Sequence, residues 1–163
     1  MTNKLRRADL KSILQVVNKA AQAYKNVIPK DRWKEPYMSA EELREEIEGG
    51  VEFYGWIEDS QLVAVMGIQP VSGVTLIRHA YVLPNYQREG IGERLLKNLL
   101  SLARTSEVLV GTWEAAYWAI NFYEKHGFRL ISKKEKDSLL RKYWKIPERQ
   151  VETSVVLKLK RQN

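Results

Sequence analysis

The chain has 163 residues, enough for one domain with a full core, and no cysteine, which excludes disulfides, thiolate metal sites and a cysteine nucleophile. Its two histidines, His79 and His126, argue against a zinc site, and 44% hydrophobic with 29% charged residues excludes a disordered chain. The net charge of +7 raises a nucleic-acid reading, but no stretch interleaves basic and aromatic residues as such a surface requires.

From the N-terminus, a short extended start over 4–7 precedes Leu10, Ile13, Leu14, Val17, Ala20, Ala21 and Tyr24, whose three- and four-residue spacing predicts a one-faced helix capped by Asp9. After a loop with Pro29 and Pro36, Ser39 and Glu42 form a capping-box pattern opening a short acidic helix that Gly49 and Gly50 end. Its glutamates 41, 42, 45, 46 and 48 read as a solvated face. Runs over 51–58, 62–69 and 74–83 predict three sequential strands. The longest uncharged stretch, 60–77, is broken by Gln61, Gln69, Pro70 and Gly73 and cannot span a membrane.

From Gly90 the period changes to helical through Ile91, Leu95, Leu96, Leu99 and Leu100. A short strand over 108–113, a helix over 115–126 stopped by Gly127, a strand over 128–132, helical spacing over 137–145 and a strand over 152–160 complete the chain. No repeat or linker divides it, so residues 1–163 read as a single mixed α/β domain. No apolar run follows the charged start, so no secretory signal is expected and the cytoplasm is the expected location.

The junction from Tyr81 to Gly92 carries the chemistry: a strand, a turn, two glycines one residue apart, then a strong helix. A helix start offers unpaired N–H groups and partial positive charge, and glycines let a pyrophosphate approach the main chain. It is neither a P-loop nor a dinucleotide fingerprint, and the glycines alone are also explained by a tight strand-to-helix connection.

Gln87-Arg-Glu-Gly-Ile-Gly92 resembles the Gln/Arg-x-x-Gly-x-Gly/Ala signature of the GNAT superfamily of acyl-CoA-dependent N-acyltransferases. Asn121-Phe-Tyr-Glu-Lys-His-Gly-Phe128 is similar to a second segment of these enzymes, about 30 residues on, and the element order agrees from end to end. The resemblance implies a mixed, mostly antiparallel sheet of about seven strands flanked by helices and splayed between the fourth and fifth. It implies acetyl-CoA as co-substrate, with Ala80, Tyr81 and Val82 pairing with pantetheine and Gln87, Arg88, Glu89, Gly90, Ile91 and Gly92 holding the pyrophosphate.

It further implies Tyr123 as general acid to the departing thiolate, no metal, an acceptor amine on a small molecule or a protein, and, as in many members of the family, a homodimer. The family's glutamate base and CoA-contacting asparagine fall on Gly111 and Ala116, so Glu114 or His79 is the nearest replacement base. Each has a plain alternative, as a helix-start acid or a satisfied histidine, and Tyr123 one as core packing. The acceptor side would include Trp33, Tyr37, Tyr143 and Trp144, although aromatics at helical spacing are more often ordinary core. The missing side chains leave a non-catalytic acyl-CoA-binding module as the alternative, with nucleic-acid binding last. The excess charge is local: residues 133–163 hold ten Lys and Arg against four Asp and Glu.

Overall fold

The computed structural model describes residues 2–161. Seven strands form one mixed sheet: β1 (Thr2–Lys4), β2 (Glu52–Glu58), β3 (Gln61–Val71), β4 (Val74–Val82), β5 (Glu107–Trp113), β6 (Arg129–Leu130) and β7 (Ser154–Lys160), in the order β1-β2-β3-β4-β5-β7-β6. The helices are α1 (Leu10–Ala20), α2 (Ala40–Glu48), α3 (Ile91–Leu102), α4 (Tyr117–Lys125), α5 (Lys133–Tyr143) and α6 (Glu148–Glu152). Two compact units divide the chain. One comprises the residues up to Ala23, Lys34–Pro70 and Ile77–Ala103, the other Tyr24–Trp33, Val71–Leu76 and the residues from Arg104.

In the first unit β2 pairs antiparallel with β1 and β3, and Leu95, Leu96 and Leu99 of α3 are fully buried as the helix packs on β1 and β2. α1 turns Ile13, Val16 and Val17 inward and packs on α2, whose Leu43 is fully buried. The capping box is present: Ser39 Oγ accepts from the Glu42 N–H at 3.1 Å, and Glu42 Oε1 accepts from the Ser39 N–H at 3.3 Å. Asp9 makes no such cap on α1, because its carboxylate accepts from the Arg6 N–H at 2.7 Å instead. Asn18 bonds the main chain of Met38 in both directions, at 2.9 and 2.8 Å, fixing the loop before α2.

In the second unit β7 pairs antiparallel with β5 along its whole length and with β6. Its core gathers Val74, Leu76, Leu109, Leu140, Trp144, Val151 and Val156. The expected strand over 128–132 shrinks to Arg129–Leu130, because Ser132 caps a helix, its Oγ accepting from Glu135 N–H at 3.3 Å. That start moves α5 to Lys133, ahead of the expected 137. β7 begins at Ser154 rather than 152, since α6, entered through Pro147, occupies Glu148–Glu152.

Candidate functional site

The first unit holds the strand end, the turn and the helix start. β4 runs to Val82, the Leu83 N–H donates to the Val63 carbonyl at 2.9 Å, and a single helical turn over Pro84–Tyr86 carries the chain outward. The Gln87 side chain reaches back, its Nε2 donating to the Val82 carbonyl at 3.1 Å, so this residue ties the turn to the strand. Arg88 and Gly90 both take left-handed conformations, at φ +67° and +80°, and bend the main chain into the concave form that receives anions. Gly90 is the N-cap of α3, and no atom lies within 4 Å of where its Cβ would stand. The space that any side chain would fill is open at the point where the amides of Ile91 and Gly92 have no carbonyl ahead of them in the helix. Ile91 itself is buried and anchors the helix start, while Gln87, Arg88 and Glu89 are exposed.

Upstream on the same strand, β4 is distorted. His79 sits at φ +54°, and Gly67 of β3 admits the Arg78 carbonyl to 3.0 Å of where its own Cβ would be, which an alanine would not. Around this point Arg78, Glu46 and His79 converge. Arg78 donates to both oxygens of Glu46, at 2.8 and 3.2 Å, and to Gln69 Oε1 at 3.3 Å. His79 Nε2 lies 3.4 Å from Glu46 Oε1, and its ring stacks on Phe53 at 5.9 Å. Burial pushes the Glu46 carboxyl up, yet His79 and Arg78 together outweigh it and hold the group below the ordinary glutamate range.

Glu46 was hidden in the sequence among five glutamates read as a solvated face, and the structure corrects that reading. The signal that could have found it is spacing: Glu46 follows Leu43 by three and precedes Ile47 by one, which places it on the inward side of the helix. Glu42 is likewise engaged, with Ser39 and with Lys34.

The second unit holds Tyr123 and Glu114. Tyr123 is 4% exposed on α4, edge-on to Phe122 at 5.1 Å and Phe128 at 5.5 Å. Burial, with a smaller contribution from the neighbouring Tyr24 phenol, pushes its hydroxyl well above the ordinary tyrosine value. Glu114, the residue after β5, is exposed, its N–H donating to the Thr153 carbonyl at 2.9 Å. Gly111 faces Trp144 and Leu140: a Cβ there would stand 3.4 Å from the indole and 3.5 Å from Leu140. Ala116 is fully buried. A side chain at 111 would therefore start in contact with the indole and Leu140. Trp144 is 8% exposed within the apolar cluster and is core. Tyr143 packs beside it with Lys142 over its ring at 5.0 Å, and Trp33 and Tyr37 are half-buried.

A family model described as acetyltransferase (GNAT) domain matches residues 15–141. Comparison with curated protein sequences gives no match. Among solved structures, the PaiA N-acetyltransferase from Thermoplasma acidophilum in complex with coenzyme A is 19% identical, with 98% of each chain covered and a TM-score of 0.75. A GNAT-family acetyltransferase from Staphylococcus aureus Mu50 is 16% identical over 99% of each chain, with a TM-score of 0.76. The ribosomal-protein-S18-alanine N-acetyltransferase from Escherichia coli is 16% identical, covering 100% of this chain and 94% of its own, with a TM-score of 0.72. At these identities the likeness is one of fold.

Proposed function

Because the chain belongs to the GNAT acetyltransferase family, we propose that it transfers the acetyl group of acetyl-CoA to a primary amine by direct attack on the thioester. The observation that carries this reading is the turn over 87–92, with left-handed residues at 88 and 90 and open space at Gly90 in front of the α3 amides. The residues suit the group: amides and a helix start suit a pyrophosphate, and Arg88 adds charge at the rim. From that turn, a pantetheine arm running back along Val82, Tyr81 and Ala80 reaches His79 last.

This order supports His79 over Glu114 as the base. His79 borders the end of the arm and is held by a carboxylate, while Glu114 is exposed at a strand end. The amine's ammonium proton passes to the imidazole, the freed lone pair attacks the carbonyl carbon, and the carbon–sulfur bond breaks with its electron pair on sulfur. Tyr123 then supplies the proton that the thiolate takes. Its phenol is protonated at every working pH. A thiol of pKa about 8.5 is a stronger acid than this buried phenol, so the transfer is uphill and the phenol O–H acts on sulfur as charge develops during its departure.

Thiol release from acetyl-CoA, with mass spectrometry of the products, tests the reading against polyamines, amino acids and peptides with free N-termini or lysines. Release that depends on the amine, with a mass gain of one acetyl group on it, is expected. Release absent or indifferent to amine throughout the panel overturns the reading.

A further inference from the structure

Glu46 differs from the other glutamates of its helix. Glu41, Glu45 and Glu48 are exposed, and Glu42 serves the cap. Glu46 instead faces a strained histidine and a nearly buried arginine whose side chain is 14% exposed. Arg78 alone neutralises it in two-point contact, and Gln69 holds Arg78 from the next strand. Stability therefore gives no reason to bring an imidazole to the same carboxylate, nor to hold that residue at φ +54°, a conformation that costs energy outside glycine. His79 Nε2 is buried without a hydrogen bond, and the Glu46 carboxylate oxygen Oε1 lies 3.4 Å from it.

We propose that Glu46 is a positioning residue for the base: it fixes His79 as the Nε2–H tautomer, leaves Nδ1 to take the acceptor's proton, and opposes the charge of the imidazolium that forms. The proposal rests on the reading of His79 as the base. In the step, an N–H bond of the ammonium breaks and an Nδ1–H bond forms. The Nε2 proton stays on the ring, so Glu46 supplies the opposing charge and takes no proton. Arg78 keeps the carboxylate turned, and Phe53 fixes the ring plane by stacking at 28°. The charged group at His79 is Glu46 from α2, which Arg78 of the same strand as His79 pairs in turn; Phe53 of β2 stacks on the ring, and Gln69 of β3 holds Arg78.

The two histidines make this measurable. His126 Nδ1 lies 2.7 Å from the Phe122 carbonyl, which can only accept, so its neutral ring is the opposite tautomer and serves as a reference in a nitrogen-15 spectrum. In the intact protein His79 is expected as Nε2–H. Glu46→Leu should give a mixture of tautomers and a kcat lowered about tenfold or more, within the range of general-base effects, with acetyl-CoA KM within about twofold. Glu46→Gln keeps an acceptor and removes charge, so it should keep the tautomer and move the acid limb of kcat/KM to lower pH. Glu45→Gln, exposed on the same helix, should change neither. If Glu46→Leu fails to fold, the limb in Glu46→Gln decides alone. Unchanged kcat and an unmoved limb in the Glu46 variants overturn the proposal, whereas His79→Gln at full kcat overturns the base reading beneath it.

Discussion

Under the proposed function Tyr123 serves both packing and chemistry. Its ring lies between Phe122 and Phe128, and the same burial that makes it core keeps its hydroxyl protonated. Tyr123→Phe preserves the packing and removes only the hydroxyl, so kcat should fall about 100-fold, at the low end of general-acid effects, with acetyl-CoA affinity unchanged. Steady-state kinetics beside a binding titration measures both. Gly111 makes the complementary point. Restoring the family's acid by Gly111→Glu would drive a carboxylate against Trp144 and Leu140. Chemical denaturation should show a loss of roughly 2 kcal/mol or more, the cost of a crowded and unpaired buried charge, with no gain in kcat. The family resemblance points to Gly111 as the vacant position. It did not show that an indole, 33 positions on, borders that position.

The elements repeat the lesson at larger scale. The Ser39 capping box was legible because every group it needs lies within four residues, and Ser39→Ala should cost about 1 kcal/mol in a denaturation experiment. The strands β2 to β5 and helices α1, α3 and α4 were legible for the same reason, as their periods are local. What was not legible depends on competition between neighbours. Ser132 opens α5 where a strand was expected, Asp9 spends its carboxylate on Arg6, and α6 displaces the start of β7. The Glu46, Arg78 and His79 cluster was hidden because it joins a helix to a strand more than 30 residues away. The turn itself was readable, since two glycines before an apolar helix describe a local shape.

At the scale of the molecule, charge governs both stability and partners. The basic segment over 133–163 is interleaved with carboxylates: Arg141 pairs with Glu148, Arg149 with Asp31 and Lys158 with Glu135. That arrangement differs from a bare basic stripe for phosphates. Glu46 is held below its reference value of 4.5 in the folded chain, so its contribution to stability is present above about that pH and lost as pH falls through the folded value. Melting temperatures taken from pH 7 down to pH 3 should drop less in Glu46→Gln than in the native chain, because the variant lacks that titration.

Titration calorimetry tests directly whether the 87–92 turn holds acetyl-CoA. The native chain should bind below about 1 mM, the upper end of ordinary substrate constants. Gly90→Val should weaken binding at least tenfold, because the branched side chain enters the open space before the α3 amides. It should also cost about 1–2 kcal/mol of stability for a left-handed valine. No heat of binding from the native chain at millimolar acetyl-CoA, or equal affinity in a folded Gly90→Val, would contradict the claim.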